Sequence, residues 1–279
     1  MRALLAIVQL TLHESVRRRI LVAAAVCGAA FLLLFGLGLH FLETRMPAKL
    51  LADTVRYRGA MILLTLAGLY AANFLTIMTA VLLPVDTLSG EIASGVAQTM
   101  ASKPIRRSTI VLGKWLGFAS MVLGYLGVLA GGVLAIARVL AHVTPPDVAI
   151  ALPLMGLEAL LFVSLSIWGG TRFATVTNGV VAFGMFGIAF IGNWVEQIAG
   201  FAGNDTARYV GTVASLIMPS ESLWQLASWH MQPPFMRQLD FAGPFALASV
   251  PTPAVVWWAA GYVLALLLGA IAGFRRRGL

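Results

Sequence analysis

Glu158 falls near the middle of a long apolar run, Val148 to Trp168. A charge at the centre of a membrane helix costs about 2.5–3.5 kcal/mol on insertion scales, so such residues are paired, neutral or turned to a cavity. Glu158 is therefore either a carboxylate on a substrate path or gate, or a hydrogen-bonded packing residue. Tyr70, Asn73, Thr76 and Thr79 punctuate another apolar run, Gly59 to Leu83, with the last three near one helical face. They either line the same path or bond neighbouring helices. The other chemistry-bearing residues are scattered. His13, His40, His142 and His230 stand singly, and no HExxH, CxxC or GxSxG occurs. No catalytic constellation and no metal site is expected, so the chain does not read as an enzyme. Gly113-Lys114 is followed by Trp115, and Ser108 stands where a P-loop needs its first glycine. The chain carries no energy source of its own.

Composition sets the solvent. Of 279 residues, 59% are hydrophobic and 11% charged, with a mean hydropathy of +0.90. Soluble domains carry about 25% charged residues, so too few polar side chains remain to cover a wet surface. The net charge of +8 reads as Lys and Arg gathered on cytoplasmic loops, not as a nucleic-acid surface. Cys27 is the sole cysteine; it is expected to pack as a small apolar side chain.

The elements that must position Glu158 and Asn73 follow from the apolar runs. We expect an all-α membrane protein, a single domain over 1–279, with six spans. These run about Ile20–Leu42, Gly59–Leu83, Ile110–Ala137, Val148–Trp168, Thr175–Trp194 and Ala254–Phe274. Residues 1–19 place Met1, Leu5, Val8, Leu12 and Val16 on one stripe, the pattern of an interfacial helix; a simple extension of the first span is the alternative. A secretory signal fits poorly, since the first apolar run is too long. Between 195 and 253 no full span fits. Asn204-Asp205 can start a helix to Met218, and Ser220 can cap a second over Glu221–His230. Trp224 and Trp229 place this region as re-entrant or interfacial helices on the outer side. Gly113, Gly117, Ser120, Gly124, Gly127 and Gly131 recur at spacings 4, 3, 4, 3, 4 along the third span. Small residues on one seam allow close helix packing, inside the subunit or across a dimer.

The stretch Pro84 to Gly117 is the longest polar interruption in the first half. Asp86 can cap a short helix that Pro104 ends, giving a coupling-type element over 85–103. A compact helix slung between two spans is suited to receive a push from a soluble partner. With Lys114 counted there, placing the N-terminus, Asp86–Thr109, Gly169–Ala174 and the C-terminus on one side gathers twelve basic residues against seven on the other. That bias favours cytoplasmic termini.

Ser89-Gly90-Glu91-x-x-x-Gly95, Ser102-Lys103-Pro104, Arg107 and Leu112-Gly113-Lys114-x-Leu116 together resemble the loop between spans two and three of ABC-2-type permeases. Many relatives carry Gly-Thr where this chain has Gly95-Val96. The six-span layout is similar to that of permeases serving copper-site maturation of nitrous-oxide reductase, and to antibiotic, lipid and polysaccharide exporters. The resemblance implies a permease subunit of an ABC exporter in the plasma (inner) membrane. Its partners would be two ABC ATPase subunits, a second and identical permease chain, membrane lipid and, in some systems, an outer accessory protein. ATP and magnesium would be bound only by the ATPase. Carried onto this chain, Glu91, Ile92, Gly95, Gln98 and Arg106 are the expected ATPase contacts. Sparse charge in the spans favours an apolar or amphipathic substrate, or mechanical coupling to an outer partner. The alternative is an ATP-independent secondary transporter or membrane scaffold; such carriers often show internal repeats, and none convincingly relates 1–137 to 138–279.

Overall fold

The regular elements of the computed structural model are all α-helices among the residues it describes: 2–16, 19–45, 54–93, 106–202, 205–234 and 250–276. In chain order they are α1 (Arg2–Val16), α2 (Arg19–Thr44), α3 (Thr54–Leu82), α4 (Thr87–Ala93), α5 (Arg107–Leu140), α6 (Val148–Gly170), α7 (Thr175–Ala202), α8 (Asp205–Ile217), α9 (Ser220–Met231) and α10 (Ala254–Arg276). Helices α2, α3, α5, α6, α7 and α10 are long and apolar enough to cross a membrane. This is a multi-pass membrane protein. In lipid a backbone must satisfy its own hydrogen bonds, and a helix does so within one segment.

Helix α6 is the axle of the bundle. It packs against α3, α4, α5, α7, α9 and α10; fifteen of its 23 residues are buried, and its exposed positions, Ala149, Ile150 and Pro153, lie in the first turns. Helix α2 is its opposite. Only Gly28 and Leu39 are buried along it, and Cys27 is exposed. The expectation of a packed Cys27 is corrected: a helix on the rim of a membrane bundle turns most of its apolar surface outward.

Helix α1 lies along the first turns of α5, but not through its apolar stripe. Ile7, Thr11 and Ser15 are buried, whereas Leu5 and Val16 are exposed. Val8 and Leu12 are half-buried, so the stripe runs along the edge of the contact rather than through its centre. The glycine seam of α5 divides accordingly. A Cβ at Gly113 would meet Ile7, and one at Gly117 would meet Thr11, each under 3.0 Å. Ser120 donates to Gly117 O within α5 at 2.8 Å. Gly124, Gly127 and Gly131 have no atom within 4 Å of a built Cβ. The first part of the seam seats α1; the second part is open.

Both ends of the bundle are tied by polar contacts. At one end the Arg107 guanidinium donates to Phe274 O and Arg275 O, at 3.4 and 3.0 Å. A cation there satisfies two carbonyls that the last turn of α10 leaves without an intrahelical partner. Arg172, in the α6–α7 turn, stacks over Trp168 at 4.7 Å. This end holds α4, the start of α5, the α6–α7 turn and the end of α10. At the other end α8 folds back on α7, where Gly192 and Gly211 leave no room for a methyl group against Ala214 and Glu196. The Trp258 indole donates to Leu216 O at 3.1 Å and ties α10 to α8.

One expectation for the region before the last span is corrected. Ser220 does not cap α9. The helix starts at Ser220 itself, with Pro219 in the cap position, and Ser220 Oγ is buried without a partner. Nine of the twelve residues of α9 are buried, because it packs chiefly on α6.

Candidate functional site: the α4 mount and the buried polar centre

The α4 mount begins where α3 stops. Pro84 ends the helix, and a turn closed by Thr87 N–H to Pro84 O at 3.0 Å turns the chain into α4. Leu88 is 1% exposed; its Cβ and the Ser89 amide lie against Gly170, at the end of α6. Asn178, in the first turn of α7, donates to Val85 O at 3.1 Å and to Ser166 O at 2.8 Å. Ser166 in turn donates to Val81 O at 3.0 Å. A Cβ on Gly169 would overlap the Asn178 carbonyl oxygen, so glycine is required there. Above this, Thr175 donates to Asp86 Oδ1 at 2.7 Å, and its oxygen lies 2.9 Å from the Ser89 hydroxyl. Gly90 allows the Asp86 carboxylate to lie close, since a Cβ would come within 2.7 Å of it. Asp86 therefore spends a carboxylate oxygen on Thr175 across the turn. These hydrogen bonds and close contacts fix the short helix and the turn before it to α3, α6 and α7 together.

Of the five expected ATPase contacts, three lie among the described residues. Glu91 and Ile92 lie in α4. Gly95 and Gln98 lie outside the described residues, as does Pro104. Arg106 is exposed and precedes α5 in extended backbone, φ −63° and ψ 132°. Lys114, counted among the basic residues of that side, is buried in α5.

The polar centre lies deeper. Asn73 Nδ2 donates to Glu158 Oε2 at 2.8 Å, with both residues buried. Helices α3 and α6 run in parallel, so the next tie between them, Ser166 to Val81, keeps the same sequence offset of 85. Eight residues along a helix is about 12 Å, so the two ties form rungs of a ladder from mount to centre. Thr76 and Thr79 take no part; their hydroxyls donate to Ala72 O and Leu75 O in their own helix. Tyr70 meets Trp224 of α9, ring centroids 5.1 Å apart. One turn before Trp224 on α9, the Glu221 carboxylate accepts from Asn193 of α7 at 3.2 Å, and Gln225 donates to Asn193 Oδ1. Tyr70, Asn73 and Glu158 are thus brought together; Thr76 is adjacent but bonded to its own backbone. Among the described residues no group of His, Cys, Asp and Glu could hold a metal ion.

Burial pushes the Glu221 carboxyl up to about 7, against the opposing hydrogen bond from Asn193. The folded value lies above the ordinary 4.5. Its contribution is therefore fully present below pH 4.5 and is lost as pH rises through 7. We expect wild type to lose on the order of 3 kcal/mol across that window, and Glu221→Gln to abolish this slope in pH-dependent unfolding in detergent.

Sequence reasoning missed Asn178, Thr175, Ser166 and Glu221. A polar residue in the first turn of a span reads as a cap, and nothing in its spacing points to a carbonyl 93 residues away. No family model and no curated protein matches the chain.

Proposed function

We propose that this chain is the permease subunit of an ATP-driven ABC exporter of the ABC-2 type, working as a pair of identical chains with two ATPase subunits. The observation that carries this reading is the α4 mount. A short helix locked to three spans at once moves them together when pushed, and the Asn73–Glu158 and Val81–Ser166 rungs extend that rigidity inward. Glu91, Ile92, Gly95, Gln98 and Arg106 then supply the ATPase contact, and the termini lie in the cytoplasm. The open half of the α5 seam is available to lipid or to the second permease chain. Gly127 also lines an apolar groove of about 520 Å³ between α5 and α6.

The test is affinity purification in mild detergent after co-expression with the cell's ABC ATPases. An ATPase should co-elute in equal number, and Glu91→Arg should cut its recovery at least tenfold. A second reading, an ATP-independent transporter, is favoured by one observation: the buried Glu158, whose Oε1 has no hydrogen-bond partner. Recovery of the pure chain with no ATPase, and unchanged behaviour of Glu91→Arg, would select it.

A further inference from the structure

The Asn73–Glu158 pair is only half satisfied. One hydrogen bond joins Nδ2 to Oε2, while Glu158 Oε1 and Asn73 Oδ1 are buried with no partner. The two residues are 0% and 1% exposed. Buried acceptors left open cost about 1–3 kcal/mol each, and a native structure keeps few of them without a reason.

The surroundings define what is missing. With Glu158 ionised, both open atoms are acceptors. A second buried carboxyl, Glu221, stands on α9, where it accepts from Asn193, which in turn accepts from Gln225. One turn before Asn73 on α3, Tyr70 packs on Trp224 of α9. Two carboxyl groups, two open oxygens and two π faces in an apolar interior are complementary to one positive, hydrogen-donating group. An anion or a neutral acceptor would meet repulsion.

We propose that this centre is the binding site for an organic ammonium cation, whose N–H groups donate to Glu158 Oε1 and Asn73 Oδ1 and whose charge faces the rings of Tyr70 and Trp224. This names a substrate class for the permease proposed above and rests on that reading for its transport role, though not for binding itself. Because the pair is sealed, entry requires α9 to part from α6 and α3. The Asn193–Glu221 and Asn193–Gln225 contacts, which tie α9 to α7, are the latch.

Benzylammonium is the probe and benzyl alcohol its uncharged counterpart, each titrated into the purified full-length chain in nanodiscs by calorimetry. Wild type should bind benzylammonium at least tenfold more tightly than benzyl alcohol. Glu158→Gln keeps the size and the acceptor of the side chain but adds a donor for Asn73 Oδ1. It should abolish the tenfold preference while raising the unfolding midpoint of the empty protein. That pair of opposite changes is not expected of a merely structural glutamate. Equal affinity for the two probes, or an undiminished preference in Glu158→Gln, overturns the proposal and leaves the pair to a proton alone. The measurement needs no ATPase, so failure to recover a partner ATPase would not affect it, and its own failure would not touch the permease reading.

Discussion

Asn73→Leu costs this protein about 3 kcal/mol of stability, and Glu158→Leu in the same chain restores most of it. The first substitution strips a fully buried carboxyl of its 2.8 Å donor. A buried polar group without its partner costs about 1–3 kcal/mol, more when it is charged. Removing both partners leaves an apolar contact of similar shape, which is near neutral. Unfolding by SDS in mixed micelles reads the three variants. The single variant should unfold earliest, and the double should lie within about 1 kcal/mol of wild type. Additive losses in the double variant would show that the two side chains do not act as a pair.

Asn178→Leu should cost about 2–3 kcal/mol, from two hydrogen bonds at about 1 kcal/mol each and the acceptors they leave behind. Its carboxamide is the bolt between α7, the α3–α4 turn and α6. The same bolt is displaced from the other side by Gly169→Ala, because the added methyl overlaps the Asn178 oxygen. The two substitutions remove one interaction, so their combined cost should fall short of the sum by at least about 1 kcal/mol. With an ATPase bound, either variant should also separate ATP hydrolysis from transport, since a loosened α4 no longer carries α3, α6 and α7 with it. Equal loss of both activities would argue that Asn178 serves folding only.

The membrane helices were legible because lipid imposes a length and a hydropathy that survive any tertiary arrangement. All six expected spans lie at the positions of α2, α3, α5, α6, α7 and α10, with the observed helices a few residues longer at their ends. Glu158 and Asn73 stood out for the same reason, since polarity in an apolar run is visible locally. Their pairing was not, because contact between parallel helices 85 residues apart leaves no periodic trace. The faces of exposed helices were harder still. In water an apolar stripe points inward, but in lipid it has no such obligation; α1 instead buries Ile7, Thr11 and Ser15, and Cys27 faces out. The glycine seam named a packing surface correctly at Gly113 and Gly117, where α1 approaches, and gave no hint that it would stop there. Helix α9 was legible as a helix after Pro219, but its packing on α6 and its contacts to Asn193 leave no trace in the sequence pattern.

The side of the membrane on which α4 lies decides the proposed mechanism, and Arg106 is the exposed position from which to ask. Arg106→Cys in a Cys27→Ser background leaves one thiol, reachable by a membrane-impermeant maleimide. Labelling is predicted in inverted vesicles alone, and slowed when the ATPase subunit is bound. Labelling from the outer face of right-side-out vesicles would put the mount beyond the reach of any ATP-driven partner and contradict the account.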